Sequence, residues 1–145
     1  MRILVINGPN MNMLGIREPE VYGRRDFRAL ESSIRAWAAE MDIAVELFQS
    51  NHEGAIVDRI PQAFGNCDAI LINPAAYTHP SVAILDALRA VGLPVCEVHL
   101  TDISGREDFR RFSYVSLAAD RVIAGKGFEG YREGMEFLKG KLHKV

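Results

Sequence analysis

No apolar run in this 145-residue sequence approaches the roughly 18 residues that a membrane-spanning helix needs, so no membrane insertion is expected. An excess of one charge is missing too. A net charge of -2 and a pI near 6.1 leave no basic footprint for nucleic acid, and Arg24-Arg25 and Arg110-Arg111 are pairs rather than patches. The only cysteines, Cys67 and Cys96, lie in or just before apolar runs without CxxC spacing. Buried thiols in a reducing compartment fit them better than a disulfide or a metal site. The opening Met-Arg-Ile-Leu-Val-Ile is too short for a signal peptide, and the cytoplasm is the expected location. GxxxxGK[ST] does not occur, and repeats and low-complexity tracts are lacking. With 48% hydrophobic and 25% charged residues, positions 1–145 read as one domain with a real core.

What is present is an alternation of strands and helices. Ile3 to Ile6 is a short apolar run that breaks at Asn7-Gly8-Pro9, as a strand buried on both faces does. The loop from Gly8 to about Arg25 has no helical period and is long for so small a domain, which marks it as functional or mobile. Asp26 then caps a helix with Phe27, Leu30, Ile34, Trp37, Ala38 and Met41 on its apolar face. Strand two is Ala44 to Phe48. After the turn Gln49 to Gly54, a second helix carries Ile56, Val57, Ile60, Ala63 and Phe64 and ends at Gly65. Ala69 to Asn73 is a third strand, and Pro80 sits in the first turn of a third helix that Gly92-Leu-Pro94 closes. Val95 to Val98 is strand four, His99 to Phe112 a polar loop with room for a helical turn, Arg121 to Ala124 strand five, and Phe128 to Leu142 the last helix. Right-handed crossovers between such units give a flavodoxin-like α/β three-layer sandwich around a five-stranded parallel sheet. The polar clusters after strands one to four then share the carboxyl rim, where such sheets bind ligands.

Each candidate on that rim has a plain reading beside a chemical one. Arg17 and Tyr22 share the first loop. A phenol titrates near pH 10 and needs a cation to become a base at neutral pH, which Arg17 is placed to supply; otherwise Arg17 is solvated and Tyr22 covers a loop edge. Glu97 and His99 project to one face of a strand end, where a carboxylate fixes an imidazole's tautomer and favours its protonated form, as a general acid requires, or where the two are an ordinary satisfied pair. The backbone N–H groups of Leu100 and Thr101 can receive an anion or simply begin a turn. His79 reads either as a ligand for a hydroxyl or as a solvated loop histidine. Asp86 either pairs with Arg89 on its own helix or faces another subunit. His52 and Glu53 have no third ligand at zinc spacing, and a capping turn explains them better. Arg106, Arg110 and Arg111 alternate with Glu107 and Asp108 as a charged turn from which one arginine can reach the site.

Together and in order, five strings carry a resemblance: Ile3-Leu-Val-Ile-Asn-Gly-Pro-Asn10 and Arg17-Glu-Pro-Glu-Val-Tyr-Gly23, then Phe48-Gln-Ser-Asn-His-Glu-Gly54 and Ile72-Asn-Pro-Ala-Ala-Tyr-Thr-His79, then Glu97-Val-His-Leu100 with Arg106-Glu-Asp-Phe-Arg110 after it. The sequence resembles the type II 3-dehydroquinate dehydratases nearly to its C-terminus. That resemblance implies a cofactor-free and metal-free anti elimination of water from 3-dehydroquinate, giving 3-dehydroshikimate through an enolate, in aromatic biosynthesis or quinate breakdown. It casts Tyr22, held as a phenolate near Arg17, as the base. Asn10, through a water, stabilises the enolate, and His99, oriented by Glu97, protonates the departing hydroxyl. The substrate carboxylate rests on Leu100 and Thr101, and Asn73, His79 and Arg110 hold ring hydroxyls. Asp86 reaches in from a neighbouring subunit of a homo-oligomer, a dodecamer built as a tetramer of trimers. The long first loop is expected to act as a lid.

Departures are few. Where relatives often read His-Leu-Ser-Asn-Ile-His-Ala-Arg-Glu, this chain has His99-Leu-Thr-Asp-Ile-Ser-Gly-Arg-Glu107. Thr101 keeps a hydroxyl and an N–H, whereas Asp102 brings a negative charge toward the anion site. Met11 and Met13 replace common leucines. Against rival readings, Gly8-Pro-Asn-Met-Asn12 lacks the Ser/Thr-rich phosphate loop of a flavin carrier, and Asn7 and Asn73 stand where a phosphorylated receiver gathers acidic residues.

Overall fold

The structure is a computed structural model that describes residues 1–16, 18, 20 and 25–143. Five strands, β1 (Arg2–Asn7), β2 (Ala44–Gln49), β3 (Ala69–Asn73), β4 (Val95–His99) and β5 (Arg121–Ala124), form one sheet in the order β2-β1-β3-β4-β5. Every pairing is parallel. Among the described residues, the α-helices with defined bounds are α1 (Phe27–Glu40), α2 (Glu53–Arg59), α3 (Val82–Val91) and α4 (Glu129–Leu142).

Side chains alternate along a strand, so successive residues of β1 feed opposite cores. Ile3 and Val5 pack with Leu71, Cys96 and Val98 under Leu30 and Ile34 of α1 and Tyr131, Met135 and Leu138 of α4. Leu4 and Ile6 pack with Ile70 and Ile72 under Ile56 of α2 and Ile84 and Leu88 of α3. This is the three-layer α/β sandwich expected from the alternation. Each fully buried aliphatic side chain contributes about 1.5–3 kcal/mol, which is why short all-apolar runs suffice for the central strands. Both cysteines are free and buried, and burial pushes the Cys96 thiol up to about 12, so it stays protonated. Helix α4 lies close on the sheet because Gly134 has no side chain: a Cβ there would stand 2.6 Å from Leu71 Cδ1.

Element ends differ from expectation where local chemistry intervenes. Asp26 does cap α1, accepting from the Ala29 N–H at 2.8 Å. Helix α2 stops at Arg59 instead of running to Gly65, because Pro61 has no N–H for the next helical bond, and the chain continues as a short 3-10 turn, Pro61–Ala63. Phe64 is consequently 69% exposed rather than part of an apolar face. Pro80 stands outside α3. Its neighbour Ser81 is the cap, accepting from Ile84 N–H at 3.0 Å while its hydroxyl donates to Glu53 at 2.5 Å. The polar loop after β4 holds two 3-10 turns, Ile103–Gly105 and Asp108–Arg110.

Candidate active site

The carboxyl ends of β1 and β3 are drawn together by a contact that only glycine permits. A Cβ on Gly8 would lie 2.4 Å from the Pro74 carbonyl oxygen, and the Gly8 N–H donates to the Asn73 carbonyl at 2.8 Å. Next, Asn10 takes a left-handed conformation (φ 66°), which asparagine tolerates, and its N–H donates to Asn51 Oδ1 at 2.9 Å. These constraints fix the first loop where it leaves the sheet. They place Asn10, Met11 and Leu14 on one wall of a cleft of about 690 Å3, open solvent at its mouth included, with Asn73, Ala75, Ala76 and His79 on another.

Beneath the cleft, Asn73 is 4% exposed and its side-chain amide is held from both sides. Its Oδ1 accepts from the Ala75 N–H at 3.1 Å, and its Nδ2 donates to the Tyr131 hydroxyl at 3.0 Å. That hydroxyl in turn donates to Asn7 Oδ1 at 2.5 Å. Tyr131 is fully buried, and burial raises its phenol above the ordinary value, so it remains a hydroxyl.

From β4 comes the acid–base pair. Glu97 and His99 lie on the same face of the strand end, and Nε2 of His99 bonds Glu97 Oε2. Glu97 is wholly buried, a costly place for a charge. Two serine hydroxyls offset that cost: Ser113 donates to Oε2 at 2.9 Å and Ser116 to Oε1 at 2.8 Å. With Nε2 committed to the carboxylate, Nδ1 is the nitrogen left for chemistry, and His99 lines the cleft.

Leu100 and Thr101 continue into the wall. The Leu100 carbonyl accepts from Gly127 N–H at 3.0 Å, and because a trans peptide points its C=O and N–H in opposite directions, the Thr101 N–H faces away from Gly127. Arg106 and Arg110 close the rim and bring two cations to the same cleft. Arg110 is braced by Glu107, with Nε 2.7 Å from a carboxylate oxygen, and its guanidinium lies 5.0 Å from the Phe109 ring centroid. His79 Nδ1 bonds the Phe112 carbonyl at 2.8 Å; it must carry the hydrogen there, which leaves Nε2 as an acceptor in the neutral ring. Asp102 does not line the cleft. Its Oδ1 accepts from the Ser104 hydroxyl at 2.7 Å and the Ser104 N–H at 2.9 Å, and these bonds, the hydroxyl first, hold its carboxyl below the ordinary value.

Of the residues named from sequence, Asn10, Asn73, His79, His99, Leu100, Thr101 and Arg110 are thus gathered on one cleft, with Glu97 behind His99. Asp86 is exposed on α3 and does not line this cleft, and it forms no ion pair with Arg89 among the described residues. Arg17 and Tyr22 lie outside the described residues. His52 stands at the N-cap position of α2 but its side chain makes no capping bond; its N–H donates to Ser50 Oγ at 2.9 Å, and the Glu53 carboxylate accepts from the Ser81 hydroxyl. Among the described residues, no group of three or more His, Cys, Asp or Glu side chains is placed to hold a metal ion, and no helix is long and apolar enough to cross a membrane. Sequence reasoning expected one arginine of the turn Arg106–Arg111 at the site, where both Arg106 and Arg110 line the cleft, and it missed Ser113, Ser116, Asn7 and Tyr131 as supports. Only the charged turn around Arg106 gave a signal; the others read as loop polarity or apolar face.

The family model for class II dehydroquinase matches residues 1–139. A 3-dehydroquinate dehydratase of Cereibacter sphaeroides is 57% identical over 129 residues, spanning 89% of this chain and 88% of the relative. A catabolic 3-dehydroquinase of Verticillium alfalfae is 53% identical over 136 residues, or 94% of this chain and 91% of the relative. Among solved structures, the type II dehydroquinase of Butyrivibrio crossotus superposes with a TM-score of 0.94 at 45% identity, covering 96% of this chain and 97% of that one. A family match over residues 1–139, with relatives 53–57% identical over about nine-tenths of the chain, places this chain in the class II dehydroquinase family.

Proposed function

We propose that this protein is a 3-dehydroquinate dehydratase, a hydro-lyase that removes water from 3-dehydroquinate to give 3-dehydroshikimate by anti elimination through an enolate. The observation that carries the reading is the His99–Glu97 pair on a cleft that also presents Leu100, Thr101, Arg106 and Arg110, an acid beside a site for an anion. A ketone's α-proton is only weakly acidic, so the site has to supply a base, hold the enolate and protonate the leaving hydroxyl. Tyr22, kept as a phenolate by Arg17, is the base; both belong to the first loop, whose fixed end at Gly8–Asn10 opens onto the cleft. Asn10 stabilises the enolate through a water. His99 delivers its proton from Nδ1, while Glu97 holds Nε2 and steadies the imidazolium.

Binding is spread over the remaining wall. The substrate carboxylate rests on the N–H groups of Leu100 and Thr101, with Arg106 and Arg110 adding positive potential. The donor N–H of Asn73, the acceptor Nε2 of His79 and the guanidinium of Arg110 take ring hydroxyls. Asp86 serves the site of a neighbouring copy, in a homo-oligomer built as a dodecamer from four trimers; its exposure on α3, away from its own cleft, supports that placement. No cofactor takes part, residues 1–145 act as one catalytic domain, and the reaction runs in the cytoplasm. The reaction serves shikimate synthesis or quinate breakdown; relatives bear both plain and catabolic names.

The test is direct. Purified protein mixed with 3-dehydroquinate should develop the ultraviolet absorbance of the conjugated enone, and Tyr22→Phe should abolish it while ligand binding stays within about tenfold. Absence of the enone with wild-type protein would remove the assignment; turnover near wild type in Tyr22→Phe would remove Tyr22 as base.

A further inference from the structure

We infer that Tyr131, on the helix layer beneath the sheet, is a positioning residue that sets the affinity for substrate by holding the Asn73 amide, with Asn7 as its anchor. The inference rests on the proposed placement of a ring hydroxyl against Asn73.

The orientation of the Asn73 amide follows from its neighbours. The Ala75 backbone N–H can only donate, so the group facing it at 3.1 Å is the carbonyl oxygen Oδ1. The NH2 group must then face Tyr131, 3.0 Å away, where it needs a lone pair rather than a hydrogen. Tyr131 meets that need only if its own hydrogen goes elsewhere, and Asn7 Oδ1 takes it at 2.5 Å. Polarity therefore runs one way through the chain, from Asn73 to Tyr131 to Asn7. A flipped amide would set Oδ1 against the phenol's lone pair and NH2 against the Ala75 N–H, two repulsive contacts at once.

This matters at the cleft because of what is left over. Among the described residues, the second Asn73 N–H meets the Met11 thioether at 3.8 Å, a weak acceptor, and both residues line the cleft. A substrate hydroxyl that accepts this hydrogen displaces little. Ala75, which shares the wall, is held by the same amide in a left-handed conformation (φ 52°) that an alanine adopts only when its surroundings impose it. Releasing one end of the amide therefore disturbs both a donor and a stretch of wall. Tyr131 touches no substrate itself, being wholly buried between α4 and the sheet.

The test compares Tyr131→Phe, Asn7→Ala and Asn73→Ala in steady-state kinetics with 3-dehydroquinate. Phenylalanine keeps the ring and its packing, so Tyr131→Phe should fold with a lowered Tm, raise KM about tenfold and leave kcat within about threefold. Asn7→Ala should raise KM likewise, because the freed phenol hydrogen can turn onto Asn73 and invert its amide. The double variant should lie within about twofold of the worse single one, since both act through one chain. A lowered Tm with KM within twofold of wild type in both single variants would reduce Tyr131 to a structural hydroxyl and overturn the inference. Asn73→Ala separates the two levels: an unchanged KM there removes Asn73 from the substrate site and the inference with it, whereas a raised KM beside unchanged Tyr131→Phe and Asn7→Ala removes the inference alone.

Discussion

Glu97→Gln isolates what the buried charge behind His99 contributes. Glutamine has the shape of glutamate, and its oxygen can keep the place of Oε2, where it accepts from His99 and Ser113, while its NH2 meets Ser116, whose hydroxyl turns from donor to acceptor. Packing and hydrogen-bond count survive; only the charge is lost. Glu97 is 0% exposed and the His99 side chain 7%, so solvent does little to screen their attraction. A hydrogen bond to a charged group contributes about 1.5–3 kcal/mol against about 1 for a neutral one. The difference, roughly 0.5–2 kcal/mol, falls on the protonated form of His99, the form that must be present when the hydroxyl leaves. At about 1.4 kcal/mol per factor of ten, kcat should fall about 2- to 30-fold with KM little changed. Glu97→Ala should do worse, about 100-fold or more, because it also leaves the imidazole and two serine hydroxyls without their acceptor. The assay is initial-rate formation of the enone at saturating substrate, with near-ultraviolet circular dichroism checking the fold. A Glu97→Gln variant with kcat within twofold of wild type would refute the role of charge behind the acid.

Other perturbations reach separate parts of the molecule. His99→Ala should lose turnover while keeping its fold, and retained activity would reassign the acid. Asp102→Asn should leave KM within about twofold, because the carboxylate is turned onto Ser104 and is exposed to screening solvent; a tenfold fall in KM would show that its charge does reach the substrate. Glu46 at the opposite end of the sheet is held below its ordinary carboxyl value of 4.5, first by the Arg59 hydrogen bond, and Arg2 adds to it. A depressed folded-state value stabilises the protein above pH 4.5 and ceases to do so as pH falls through that lower value. Wild type should therefore melt above Glu46→Gln at pH 7, with the gap closing on acidification below about pH 4.5. A gap independent of pH would show that the ion pairs contribute only packing.

The sheet was legible because its signal is redundant. Four-residue apolar runs such as Ile3–Ile6 are short for helices and unalternating, which is the pattern of strands covered on both faces, and each ends on a glycine, proline or asparagine cluster. Helix ends were less legible where two signals compete within one turn. Pro80 and Ser81 both mark a helix start, and the serine prevails because its oxygen satisfies the otherwise orphaned Ile84 N–H, which proline cannot do. In the second helix the apolar period runs past Pro61 to Phe64, yet the missing N–H of Pro61 ends the helix before the pattern does.

The site divides along a similar line. Residues that face substrate stand in polar loops at strand ends, where an asparagine or histidine is conspicuous, and Glu97 with His99 gives itself away by a spacing of two on a strand. The groups that hold them do not stand out. Ser113 and Ser116 read as ordinary loop polarity until the fold brings them 16 and 19 residues back onto Glu97. Tyr131 follows the apolar period of its helix, and nothing in that period tells that its ring ends in a hydroxyl under the rims of β1 and β3, 124 residues from Asn7 and 58 from Asn73. A parallel sheet makes this blindness systematic. Consecutive strands lie side by side only after a crossover, so the partners that satisfy a buried polar group on the carboxyl rim come from distant segments, and only a side chain whose far end is polar can reach that rim from within an apolar layer. Periodicity reports which face of an element is buried. The length and tip of the side chain decide whether that buried face also supports the chemistry, and for Tyr131 the tip is a single oxygen.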